Sequence, residues 1–199
     1  MGIYKNKILA NESLKELKEL AKSDNIDIVD TFYQIKNTDN VKTIIGKGKL
    51  KELIIEALDK DINLLIFDNS LTPTQAKTIA HLTELKIIDR NQLILDIFAK
   101  RANSNDGKLR VELAQLKYIL PRLSAKDDSL SRLTGGIGGR GPGETKLEID
   151  KRRVREKINL LTQKLKKLEK NRFVQRRKRN NKGIPIVSVI GYTNAGKST

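Results

Sequence analysis

Along the N-terminal half of the chain, amphipathic stretches alternate with short apolar runs. In "SLKELKELAK" (13–22), Leu14, Leu17 and Leu20 recur at helical spacing, and Ser13 with Glu16 reads as a capping box. "IDIVDTFYQI" (26–35) is β-branched and aromatic and predicts a strand. "VKTII" (41–45) predicts a shorter one, before Gly-Lys-Gly and the helix "KLKELIIEALDK" (49–60). "INLLIFD" (62–68) is continuously apolar, as in a strand buried on both faces. Thr72, Pro73 and Gln75 then form the cap, first position and box partner of a further helix. "LKIID" (85–89) and "NQLILDIFAKRA" (91–102) complete the alternation with another strand and helix. Strands and helices in this rhythm predict an α/β unit: a small, mostly parallel sheet flanked by helices.

After "NSNDG" (103–107) the rhythm changes. Leu109, Leu113, Leu116, Leu120 and Leu123 follow a heptad, and so do Val154, Ile158, Leu161, Leu165 and Leu168. Two matched seams separated by a loop predict a long antiparallel α-helical hairpin, a coiled coil within one chain. Pro121 should loosen the last turn of the first helix. The second is expected to start after Thr145, capped by Thr145 with Glu148, and to reach Asn180, roughly 50 Å, about twice its partner. "NNKG" (180–183) reads as a linker and "IPIVSVI" (184–190) as the first strand of a further domain. The expected units are thus an α/β subdomain (1–103), a hairpin (104–182) with its tip loop at 124–144, and a strand and loop at 183–199.

Charge changes the picture. The net charge is +16, yet residues 151–182 alone carry 15 Lys/Arg against Glu156 and Glu169. A near-neutral body with one intensely basic segment points to a polyanionic partner, against the plainer alternative of a solvated helix. Cysteine is absent, which excludes disulfides and thiolate metal sites. No apolar run approaches the roughly 20 residues of a membrane span, and the N-terminus has no stretch of signal-peptide type, so a cytoplasmic protein is expected.

The loop between the seams, "SAKDDSLSRLTGGIGGRGPGE", holds Gly135, Gly136, Gly138, Gly139, Gly141 and Gly143 together with Arg132 and Arg140. A plain turn needs only a handful of residues. Bare backbone beside arginine suits close approach to phosphate and sugar, while a turn without any ligand stays open as the alternative. The candidate RNA contacts are these residues plus Lys151, Arg152, Arg153, Arg155, Arg176, Arg177, Lys178 and Arg179. "IGKGKLKEL" (45–53) could offer an anion site at a helix N-terminus, but a tight turn with solvated lysines explains it better. His81 has no second histidine to share a metal, and Asp127 and Asp128 have no acid–base partner. No nucleophile–base set can be assembled. The last residues are more specific: Gly191, Tyr192, Thr193, Asn194, Ala195, Gly196, Lys197 and Ser198 fit the phosphate-loop pattern G-x-x-x-x-G-K-[ST], with Thr199 next to it. In an intact domain the backbone would wrap the phosphates, Lys197 would neutralise their oxygens and Ser198 would ligate Mg²⁺.

"GKLRVELAQLKYILPRL", "GGIGGRGPGETKLEIDKRRVREKI" and "GYTNAGKST" together closely resemble the HflX family of ribosome-associated GTPases. "IIGKGKLKEL", "LLIFDNSLTPTQ" and "IIDRNQLILDIFAKRA" match the family as well. Members commonly begin with an extra strand, for which only "IYKNKILA" (3–10) is available here. The resemblance implies an N-terminal portion that ends inside a truncated P-loop GTPase domain, so this fragment is expected neither to hydrolyse GTP nor to hold nucleotide tightly. The intact protein would be a monomeric GTPase using GTP or GDP and Mg²⁺. It would bind the large ribosomal subunit, with the tip loop against rRNA near the peptidyl-transferase centre, and help split stalled or idle ribosomes. The residues alone leave two alternatives, a free-standing RNA-binding P-loop NTPase and a basic structural coiled coil.

Overall fold

The computed structural model describes residues 1–35, 43–124, 146–181, 183 and 187–191. Its order is β1 (Gly2–Tyr4), α1 (Lys7–Ser23), β2 (Tyr33–Ile35), α2 (Lys47–Asp59), β3 (Leu64–Phe67), α3 (Pro73–Thr83), β4 (Lys86–Asp89), α4 (Arg90–Arg101), α5 (Asn105–Ser124) and α6 (Lys146–Asn181). β1 pairs with β2 and β3 with β4, both in parallel, with Gly2 opposite Tyr33 and Leu64 opposite Lys86. Met1 joins the two ladders: its amine donates to the Ile66 carbonyl at 2.8 Å, and its own carbonyl accepts from Asp68 N at 2.7 Å. The Asn69 side chain extends the seam, accepting from Ile3 N at 2.7 Å and donating to Ile3 O at 3.2 Å. The strands therefore run β2-β1-β3-β4. Winding reverses after β2, and with one preferred crossover hand this puts helices on both faces.

Strand alternation divides the core in two. On one face Met1, Ile3 and Phe67 pack with Leu50 and Leu53 of α2 and Ile79 of α3. On the other, Tyr4, Ile66 and Ile88 pack with Ala10, Leu14 and Leu17 of α1 and Leu93 and Ile97 of α4. The result is a helix–sheet–helix sandwich, as the alternation of apolar runs predicts.

Several local expectations are corrected. α1 starts at Lys7, capped by Asn6, whose side chain accepts from Leu9 N at 2.9 Å. Ser13 and Glu16 are mid-helix and turn to tertiary partners instead of closing a box. The strand expected over 26–35 shrinks to Tyr33–Ile35, because β1 offers a ladder of only three residues; Ile26 and Ile28 still pack against the core without pairing. Of the expected strand at 41–45, residues 41 and 42 lie outside the described residues. Thr43–Ile45 keep only an isolated bridge residue, Ile44, which has φ 60°; Thr43 Oγ1 donates to Ile45 O, and both isoleucines are buried in the core. Of the stretch 3–10 available for a first strand, Ile3 and Tyr4 belong to β1 and Lys7 onward to α1. The capping box Thr72–Gln75 forms as expected, with Pro73 at the first helical position.

α5 packs on α4, and α6 packs antiparallel on α5. Leu161 and Leu165 are the buried centre of the seam. Helix α5 continues through Pro121 to Ser124, and the Arg122 guanidinium donates to the Tyr118 carbonyl at 3.0 Å. Thr145, the expected cap of α6, lies outside the described residues. α6 has 36 residues against 20 in α5 and is about 54 Å long. Asn180 and Asn181, read as linker, continue the helix. Of the strand expected at 184–190, residues 184–186 lie outside the described residues, and 187–190 are exposed without regular secondary structure.

Candidate nucleic-acid interface

Three cross-helix ion pairs fix how α6 lies on α5. Arg172 is 3.1 Å from Asp106, Arg110 is 3.0 Å from Glu169, and Lys157 is 2.6 Å from Glu112. Asp106 stands in the first turn of α5, so everything beyond Arg172 projects past the start of that helix. The neighbouring Arg110 and Arg172 hold the Asp106 carboxyl below its ordinary pKa, the Arg110 hydrogen bond contributing most.

The basic residues read from the sequence as one segment fall into two groups. Lys151, Arg152, Arg153 and Arg155 lie near the N-terminal end of α6; all but the half-buried Lys151 are exposed. Arg176, Arg177, Lys178 and Arg179 are exposed on the overhang, about 38 Å away along the helix axis. Arg153 and Arg152 have weak intrahelical partners, Asp150 at 4.0 Å and Glu156 at 3.8 Å. Arg155 and the four overhang residues have no ion pair with any described residue. A third set was missed: Lys166 and Lys170, also exposed, continue the line opposite the leucine seam between the two groups. Once the seam is assigned, the 3.6-residue repeat would have revealed them.

The predicted contacts Arg132, Gly135, Gly136, Gly138, Gly139, Arg140, Gly141 and Gly143 lie outside the described residues. So do Tyr192, Thr193, Asn194, Ala195, Gly196, Lys197, Ser198 and Thr199 of the phosphate loop; Gly191 is described and exposed. At "IGKG", Gly46 caps α2 by backbone alone, Gln34 Oε1 accepts from its N–H at 3.1 Å, and Lys49 pairs with Glu52 at 2.6 Å. That is a tight turn. Among the described residues no group of three acids and histidines could hold a metal ion, and no helix is long and apolar enough to cross a membrane.

Parallel α/β sheets commonly bind ligands where strand order reverses, at the C-terminal ends of the strands. Here that edge is filled by the protein. Asp68 accepts from Tyr4 OH at 2.8 Å and Ser13 Oγ at 2.5 Å, and Arg90 lies 3.0 Å from it and 2.5 Å from Glu16. Burial first, and then the hydrogen bond to Asp68, push the Tyr4 hydroxyl well above its usual pKa, so it stays a donor. Beside it, Asp89 caps α4 through Gln92 N, accepts from Leu71 N, and receives Arg122 of α5. Both clusters are internally satisfied and tie the subdomain together; the basic helix remains the exposed chemistry.

Residues 11–99 match the family model described as GTP-binding GTPase N-terminal, and residues 101–179 the one described as GTP-binding GTPase Middle Region. The chain is 52% identical over 94% of its length to GTPase HflX of Caldanaerobacter subterraneus subsp. tengcongensis, and 40% identical over 94% to GTPase HflX of Escherichia coli K12. It spans 44% of the length of each of those relatives. The fold is similar to that of a GTP-binding protein from Sulfolobus solfataricus solved with GDP, at TM-score 0.58 and 23% identity over 84% of this chain and 44% of that one. With adjoining N-terminal and middle-region matches along nearly the whole chain and HflX relatives at this identity, the protein belongs to the HflX family, of which it represents the N-terminal region.

Proposed function

We propose that this chain is the ribosome-binding region of an HflX-type GTPase, attaching to rRNA of the large subunit and helping to split stalled or idle ribosomes in the GTP state. The single observation that carries the reading is the set of exposed cations on α6: Arg155, Lys166, Lys170 and Arg177 follow the side away from the leucine seam, Arg176, Lys178 and Arg179 surround the overhang, and none has an ion pair among the described residues. Such a rigid line of cations positions a molecule on phosphate, and counterion release supplies the affinity. In this reading the arginines and glycines of 132–143 are the RNA contacts at the hairpin tip, near the peptidyl-transferase centre. GTP or GDP and Mg²⁺ belong to the longer protein, with Lys197 and Ser198 as the residues for phosphate and metal. The α/β subdomain serves as the platform that holds the hairpin, and the units divide near residues 103 and 182.

Co-sedimentation with purified large subunits tests this. Binding is expected at 50 mM salt and should weaken at least a hundredfold by about 200 mM, the behaviour of several phosphate contacts. No co-sedimentation at the lower salt would overturn the proposal.

A further inference from the structure

Phe173 is 65% exposed on α6, on a helix whose other outward positions are almost all polar. Helical residues three and four apart are surface neighbours. Around Phe173 these are Lys170 and Arg176 at three, Glu169 and Arg177 at four, and Lys166 lies two turns back on the same side. The four cations are exposed and have no ion pair with any described residue, whereas Glu169 is already engaged by Arg110 at 3.0 Å. An exposed phenylalanine thus stands among four unpaired cations and one glutamate already neutralised by Arg110.

A protein segment covering Phe173 with apolar side chains would have to desolvate those cations without supplying them an anion. A nucleotide meets both demands, its base lying on the ring while the adjoining phosphates reach the lysines and arginines. We propose that Phe173, framed by Lys166, Lys170, Arg176 and Arg177, is a stacking subsite for an unpaired RNA base. This rests on the RNA-binding reading of α6 and adds to it a position that takes a single-stranded or bulged nucleotide instead of duplex backbone. A bare phenyl ring offers no hydrogen bonds, so the subsite accepts any base.

The protein contains no tryptophan, so Phe173→Trp introduces a unique fluorophore at the subsite. The whole chain is titrated with single-stranded oligoadenylate and with a duplex RNA of equal length. Emission of F173W should be quenched by oligoadenylate. Phe173→Ala and Phe173→Leu should both weaken oligoadenylate binding roughly tenfold, with helicity and salt dependence unchanged and duplex binding unaffected. If F173L binds as the parent does, or if the F173W emission does not respond, the subsite is refuted. If the chain fails to sediment with ribosomes while oligoadenylate still stacks, the ribosome proposal falls and the subsite stands. If ribosomes bind and Phe173 proves dispensable in every titration, the reverse holds.

Discussion

Arg122, close to the end of α5, is bound to Asp89, the residue that caps α4: Nη2 lies 3.2 Å from Asp89 Oδ2 and 2.8 Å from the Leu71 carbonyl. Its guanidinium carbon sits 3.4 Å above the Tyr118 ring centre. Asp89 is only 1% exposed and also accepts from Leu71 N and Gln92 N. One buried carboxylate therefore fastens β4, α4, the segment after β3 and the hairpin. Burial and then Asp89 raise the Tyr118 hydroxyl pKa, which keeps it protonated.

Removing one member of a buried pair leaves the other charge unpaired, which typically costs 3–5 kcal/mol. Arg122→Met should therefore lower stability by about 3 kcal/mol in urea denaturation. Arg122→Lys should recover little of it, because an ammonium can neither stack flat on Tyr118 nor fork between two acceptors.

The Asn69 amide substitutes for a missing strand residue beside Ile3. Asn69→Ala leaves the Ile3 N–H and carbonyl without those partners, a loss of about 1–2 kcal/mol. Hydrogen exchange at the Ile3 amide should accelerate about tenfold, while exchange in α5 and α6 stays as it is. Equal acceleration throughout would mean the clasp holds the whole fold, not β1.

Acid should loosen the base of the hairpin. The Asp106 carboxyl titrates below its unfolded value, so its contribution is complete above the ordinary Asp pKa near 4 and disappears as pH falls through the depressed folded value. Thermal midpoints measured between pH 5 and pH 3 should fall more steeply for the parent than for Asp106→Asn. Identical slopes would show that the ion pairs with Arg110 and Arg172 contribute nothing.

Neutralising the overhang tests the proposed electrostatics without touching the core. Replacing Arg176, Arg177, Lys178 and Arg179 by glutamine should reduce the slope of log affinity for ribosomes against log salt by about 3–4 if all four reach phosphate. Helicity should be unchanged, since glutamine is a good helix former. An unaltered slope would place the contacts elsewhere on α6.

Local order in the sequence carried the architecture a long way. The Thr72-Pro73-Gln75 signal set the start of α3, and the two leucine series predicted the α5–α6 hairpin, because caps and apolar periodicity act within a few residues of themselves. Short-range signals failed where a distant partner competed for the same group. Ser13 and Glu16 have the spacing of a box, yet Asp68 and Arg90 claim them. "IDIVDTFYQI" has strand propensity throughout, yet pairs only as far as β1 extends.

The sequence by itself determined the six helices, the alternation that makes a sandwich, and the charge that marks α6, since all three follow from side-chain chemistry at fixed spacing. Only the tertiary structure decided that Met1 joins two ladders, that Asp89 waits for Arg122, and that the basic segment extends past the start of α5 as an exposed overhang. Those outcomes depend on which groups lose water together, and contacts between residues dozens of positions apart leave no periodic trace in the chain.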